Sequence, residues 1–299
     1  VSEPALDFES LTRRGSEALQ KGLLDEAGLW WDQALVWARA HGDAPTADRA
    51  FCNCAILAIE RGRGEALLGE LREVLLRSSA GPAGFHAAYA IARAHDLRRE
   101  REKARFYAGI ALERAERIGN REWRAWVHNL LGNLELSASR FAEAAARFRQ
   151  ALQLAPATSS PVWAALIKDN LGYCCVIRRR RRAGLKLIYE SLRTLRRHGA
   201  ERFEVHPRLS LSYALLEAGR PRTATRHARR VLLISATSGD AEARKAALFL
   251  LGEAAKHLGR LDDARGYFLQ LQSEFYPDGS HLPDLLMAID VRRLVNLKS

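Results

Sequence analysis

An alanine-centred helical segment returns along this chain at a spacing of close to 40 residues, and that period constrains the fold more than any other feature. The segments RFAEAAARFRQALQLAP (140–156), RLDDARGYFLQLQSEF (260–275) and LLDEAGLWWDQAL (23–35) share one pattern. Each has a small residue, a bulky apolar residue four positions later, and a small or apolar residue three after that. This is the i, i+4, i+7 stripe of an amphipathic helix. The small residue falls at positions 27, 66, 104, 144, 184, 224 and 264, with successive differences of 39, 38, 40, 40, 40 and 40. Twelve residues before it there is usually a glycine or other small residue.

A regular period of this length means a stacked array, in which each unit is one supersecondary element that cannot bury its apolar face alone. The units here are helical. Ala, Leu, Arg and Glu dominate, and β-branched runs are nearly absent. Pro45, Pro82, Pro161, Pro207 and Pro221 fall where turns or helix starts are needed. The expected architecture is all-α: a solenoid of seven helix-turn-helix repeats in a single domain over 1–299. Their expected bounds are about 8–42, 46–79, 83–119, 123–156, 161–199, 204–238 and 241–276. After the break YPDGSHLP, an amphipathic segment over 284–298 reads as a helix capping the last apolar face.

The spacing of Leu131, Gly132, Ala144, Phe148, Ala151 and Pro156 resembles the tetratricopeptide repeat, with Glu135 in the slot that family fills with an aromatic residue. Looser copies run Leu171, Gly172, Gly184, Ile188, Ser191 and Leu251, Gly252, Ala264, Phe268, Leu271. A first copy reads Leu11, Gly15, Ala18, Ala27, Trp31, Ala34. The period exceeds the family's usual 34 residues and is similar to the longer arrays of bacterial signalling and transcription regulators.

The resemblance implies that the solenoid is a right-handed superhelix and that the first helix of each hairpin faces a ligand groove. Taken from Gly132, the groove positions are Trp126, Asn129 and Asn133 in the fourth repeat, and Asp169, Asn170 and Tyr173 in the fifth. Phe51, Tyr89, Arg93, Tyr213 and Phe249 occupy matching places elsewhere. The rings and amides together suit an extended peptide or helix. The same rings are equally the kind that pack between neighbouring helices. A full lysine and asparagine clamp for a terminal carboxylate is missing.

Arginines collect where the first helix of a hairpin turns into the second: Arg98, Arg99 and Arg101; the run Arg178, Arg179, Arg180, Arg181 and Arg182; and Arg220 and Arg222. With a formal net charge of +12, two readings stand side by side. One is a solvated rim favoured by helix dipoles. The other is a site for phosphate or an acidic partner, though the five-arginine run has no interleaved aromatics to stack bases.

Nucleotide-binding glycine loops, zinc-protease and serine-hydrolase motifs are all lacking. Cys52, Cys54, Cys174 and Cys175 sit in apolar helical stretches without metal-ligand spacing. No apolar run reaches the roughly 18 residues of a membrane span, and the acidic start VSEPALDFESL lacks the pattern of a signal peptide. The sequence therefore predicts a cytoplasmic, non-catalytic scaffold or regulator without cofactor or metal. Its partner would be a protein or peptide, in one reading acidic, with nucleic acid as the alternative.

Overall fold

The computed structural model describes residues 7–20, 23–41, 44–78, 81–155, 160–290 and 296–298. Among these there is no strand, and the helices pair into seven antiparallel hairpins. They are α1 (Phe8–Gln20) with α2 (Leu24–Ala40), α3 (Ala44–Glu60) with α4 (Leu68–Arg77), and α5 (Pro82–Leu97) with α6 (Arg101–Ile118). Then come α7 (Arg121–Ser137) with α8 (Phe141–Leu154), and α9 (Pro161–Ile177) with α10 (Arg181–Arg197). The last two are α11 (Val205–Glu217) with α12 (Pro221–Ser238), and α13 (Ala241–His257) with α14 (Leu261–Phe275). A short helix α15 (Leu282–Ala288) follows. The array is an all-α stack of helical hairpins, and no helix among the described residues is long and apolar enough to cross a membrane.

Backbone contacts divide the chain into two compact units, Val1–Glu135 with Ala146–Ser160, and Leu136–Ala145 with Pro161–Ser299. Inside both units the same close contact recurs between the helices of a hairpin. A small residue on the first helix faces a buried residue sixteen positions later on the second: Gly15 meets Trp31, Gly132 meets Phe148, Gly172 meets Ile188 and Gly252 meets Phe268. Where the facing residue is small, the first helix carries more than glycine. Ser212 donates its hydroxyl to Ala224 O at 3.1 Å, close to buried Ala228.

In the second repeat the expected small position, Ala66, is exposed and lies in a 3-10 turn, Glu65–Leu67. Of the buried residues of α4, Leu68, Leu71, Val74 and Leu75, the deepest are Leu71 and Val74, which places the matching residues at Ala55 and Leu67, one position later than the sequence reading. The corrected steps around this repeat are 40 and 37. The reason is the RGRG turn at 61–64: it leads into a 3-10 turn, and α4 is only 10 residues long. Phe51 is therefore out of register with the other positions that the sequence assigned to a groove.

The segment after the last hairpin also differs from expectation. The helix over 284–298 is replaced by α15, which ends where Ile289 turns extended at φ −125° and ψ 156°. Lys256 of α13 satisfies carbonyls at that end, donating to Leu286 O at 2.5 Å and Ile289 O at 2.8 Å. Leu297 and Lys298 form a turn, while 291–295 and Pro156 lie outside the described residues.

Candidate functional site

In the second unit, the positions of α9 that the sequence assigned to a groove hold a piece of the chain. Asp169 is completely buried, and Lys298 Nζ reaches its Oδ2 at 2.5 Å and Asn170 Oδ1 at 2.8 Å. The Tyr173 hydroxyl accepts the backbone N–H of Leu297 at 3.1 Å. The Asn296 amide donates to Leu136 O at 2.7 Å and lies 3.2 Å from the Ser139 hydroxyl. Burial pushes the Tyr173 phenol up, so it stays a neutral hydroxyl. Burial first, and then the Lys298 charge, holds the His206 imidazole below its usual range. The sequence singled out Asp169, Asn170 and Tyr173 but gave no sign of what lies against them.

The rings assigned to the groove sit deeper than a solvent-lined face requires. Tyr173, Tyr213, Phe249 and Phe51 are buried; Tyr173 packs against Tyr213 at 5.7 Å between ring centroids and against Phe141 at 6.4 Å. Phe51 belongs to the apolar core of the first unit. Tyr89 and Trp126 are half-buried in an aromatic cluster where Phe85 stacks on Trp123 with centroids 4.4 Å apart. Tyr89 and Trp126 are separated by 6.2 Å. His86 lies edge-on to Trp123, buried, with neither ring nitrogen hydrogen-bonded among the described residues. Its pKa falls to about 3 through loss of hydration.

Arg93 is engaged within its unit, with Glu60 at 2.6 Å and Asp96 at 3.0 Å. Those carboxylates, Glu60 foremost, raise its pKa. Asn129 and Asn133 are half-buried on the same helix face, and Asn129 has no hydrogen-bond partner among the described residues. Glu135, in the slot where the repeat pattern has an aromatic, is buried and ion-paired to Arg105 at 2.7 Å.

The rim arginines Arg98, Arg99, Arg101, Arg178 through Arg182, Arg220 and Arg222 are all exposed. Helix dipoles account for only some of them. Arg98, Arg99, Arg178 and Arg179 follow the C-termini of first helices, where cations are favoured. Arg101, Arg180, Arg181, Arg182, Arg220 and Arg222 stand at the N-termini of second helices, where the dipole disfavours them. Arg98 pairs with Glu65 at 3.0 Å, and Arg181 lies 3.9 Å from Glu217. Arg178, Arg179, Arg180 and Arg182 make no ion pair among the described residues.

A second basic feature, which the turn-by-turn reading missed, is a cleft of about 590 Å³ lined by Arg193, Arg196, Arg197, Arg208, His227 and Tyr189. Its signal was present in the i, i+3, i+4 spacing of the α10 arginines. Arg208 is held by Glu204 at 2.5 Å. The cysteines are unpaired, and burial raises the thiols of Cys52, Cys54 and Cys174. That describes packed thiols and not reactive ones.

No family model and no curated protein sequence matches the chain. Solved structures do. A Rap protein complexed with competence and sporulation factor is similar at a TM-score of 0.67 and 14% identity, covering 94% of this chain and 76% of that one. The PilF protein of Pseudomonas aeruginosa gives 0.58 and 21%, covering 83% and 100%. A tetratricopeptide repeat protein from Parabacteroides merdae gives 0.54 and 16%, covering 96% and 99%. This chain has the tetratricopeptide-repeat fold. At these identities the likeness extends to the fold and no further.

Proposed function

We propose that the chain is a non-catalytic scaffold or regulator whose first-helix faces bind a protein or peptide segment. The observation that carries this reading is the α9 face: its Asp169, Asn170 and Tyr173 hold an irregular piece of backbone and side chain by direct polar contacts. A surface that binds such a segment in cis has the chemistry to bind one in trans. The half-buried Asn129 and Asn133 offer amides of the same kind on α7. A fold that is complexed with competence and sporulation factor in one similar structure is compatible with this use, though fold alone selects no partner.

The test is capture from native lysate at high salt after nuclease treatment. A bound protein that Asn129→Ala/Asn133→Ala or Asn170→Ala releases, and serine replacement of Arg178–Arg182 does not, supports the groove. The reverse pattern transfers the function to the rim.

The second reading rests on Arg180 and Arg182, which stand at the N-terminus of α10 without an ion pair among the described residues, where orphan N–H groups and cations together favour an anion. Phosphate contacts release counterions, so nucleic-acid or acidic-partner binding at this rim would weaken steeply with salt.

A further inference from the structure

We infer that the Asp169–Asn170–Tyr173 cradle recognises a short peptide segment that presents a lysine from a turn, and that residues 296–298 occupy it as an intramolecular ligand that an external peptide must displace. The inference rests on reading first-helix faces as ligand surfaces, and it adds the ligand's chemistry and the competition for the site.

The cradle asks for a cation. Asp169 is fully buried, and a buried carboxylate needs a charged or hydrogen-bonding partner. Lys298 supplies that partner to Oδ2 alone, while Oδ1 has none among the described residues. One residue earlier in the bound segment, the site reads backbone: the Tyr173 hydroxyl takes the Leu297 N–H. Two residues earlier it reads an amide, since Asn296 donates to the Leu136 carbonyl in the last turn of α7. Three consecutive residues are thus held by four groups, two of them through their side chains and Leu297 through its backbone, which is recognition of polar groups and not burial of an apolar face. The occupant is also incompletely matched, because one oxygen of Asp169 stays unsatisfied. An external segment therefore competes against an imperfect ligand.

The occupied fraction reduces the apparent affinity for any outside peptide, so detaching the segment should restore it. The probe is a fluorescein-labelled peptide covering residues 290–299, DVRRLVNLKS. It is titrated by anisotropy against the full chain, wild type and Asn296→Ala/Lys298→Glu. The substituted chain is expected to bind at least about tenfold more tightly than wild type. Adding Asp169→Asn to it, or replacing the peptide's own lysine by glutamate, should remove that gain. Equal affinity for the two chains overturns the inference, as does binding indifferent to Asp169→Asn. Lys298→Gln serves as a milder release if the double variant melts below wild type by circular dichroism. A failed peptide titration alongside a lysate partner that Asn129→Ala/Asn133→Ala still releases removes this inference and leaves the groove reading. Loss of both removes the groove.

Discussion

Gly132 lies against the ring of Phe148: a Cβ built on the glycine would stand 2.6 Å from Phe148 Cε1. Phe148 is fully buried, so the ring cannot swing into solvent to make room. Gly132→Ala gains helix propensity of about 1 kcal/mol but overpacks a closed contact, at a cost of about 1–3 kcal/mol. The net expectation is destabilisation, read as a lower urea midpoint with unchanged native helicity. A midpoint at or above wild type would mean that the hairpin opens freely here.

Gly109 provides the opposite case. It sits inside α6, and nothing lies within 4 Å of where its Cβ would go. Gly109→Ala should therefore stabilise the chain by about 0.5–1 kcal/mol through the unfolded state and helix propensity. Equilibrium denaturation of the two alanine variants side by side separates packing from propensity, and two shifts of the same sign would contradict the assignment.

This contrast shows how much the sequence could disclose. Gly132, Gly172 and Gly252 are legible because a close helix contact admits nothing larger, and the period repeats the constraint. The slip at Ala66 was not legible, because a 3-10 turn and an α-helical start have the same composition and differ by one residue in register. Depth was hidden as well: periodicity gives the face on which Tyr173 and Tyr213 lie, but their burial depends on neighbours from other hairpins. The segment at Asn296–Lys298 left no local mark at all, since its partners are more than 120 residues away in sequence.

Arg179 occupies left-handed backbone at φ 64°, and the matching turn residues 40 and 80 positions later are Gly219 and Gly259, at φ 70° and 71°. An arginine there carries strain of about 1 kcal/mol or more that glycine avoids, partly offset by the greater freedom of glycine in the unfolded chain. Arg179→Gly is expected to leave stability equal or higher by up to about 1 kcal/mol. If the rim binds an anion, the same change weakens that binding. Thermal melting together with a heparin-binding titration at low salt reads both; a marked loss of stability would show that Arg179 makes a structural contact.

Acid should loosen the first unit through His86. Its folded pKa lies near 3, against about 6.5 for an unfolded histidine. Between those values the unfolded chain binds one more proton than the folded chain, so unfolding free energy falls as pH falls. The slope is about 1.4 kcal/mol per pH unit for one such group. The stability is fully present above pH 6.5 and is lost progressively down to about pH 3. His128, depressed to about 4 by burial and then by Arg147 and Arg124, adds to the same trend over a narrower window. His86→Leu removes the first contribution. It also removes two buried nitrogens without partners, each the kind of group that costs about 1–3 kcal/mol when left unsatisfied. Urea midpoints at pH 7 and pH 5 should show the leucine variant at least as stable at pH 7 and clearly more stable at pH 5. An identical pH dependence in the two proteins would place the acid-sensitive group elsewhere.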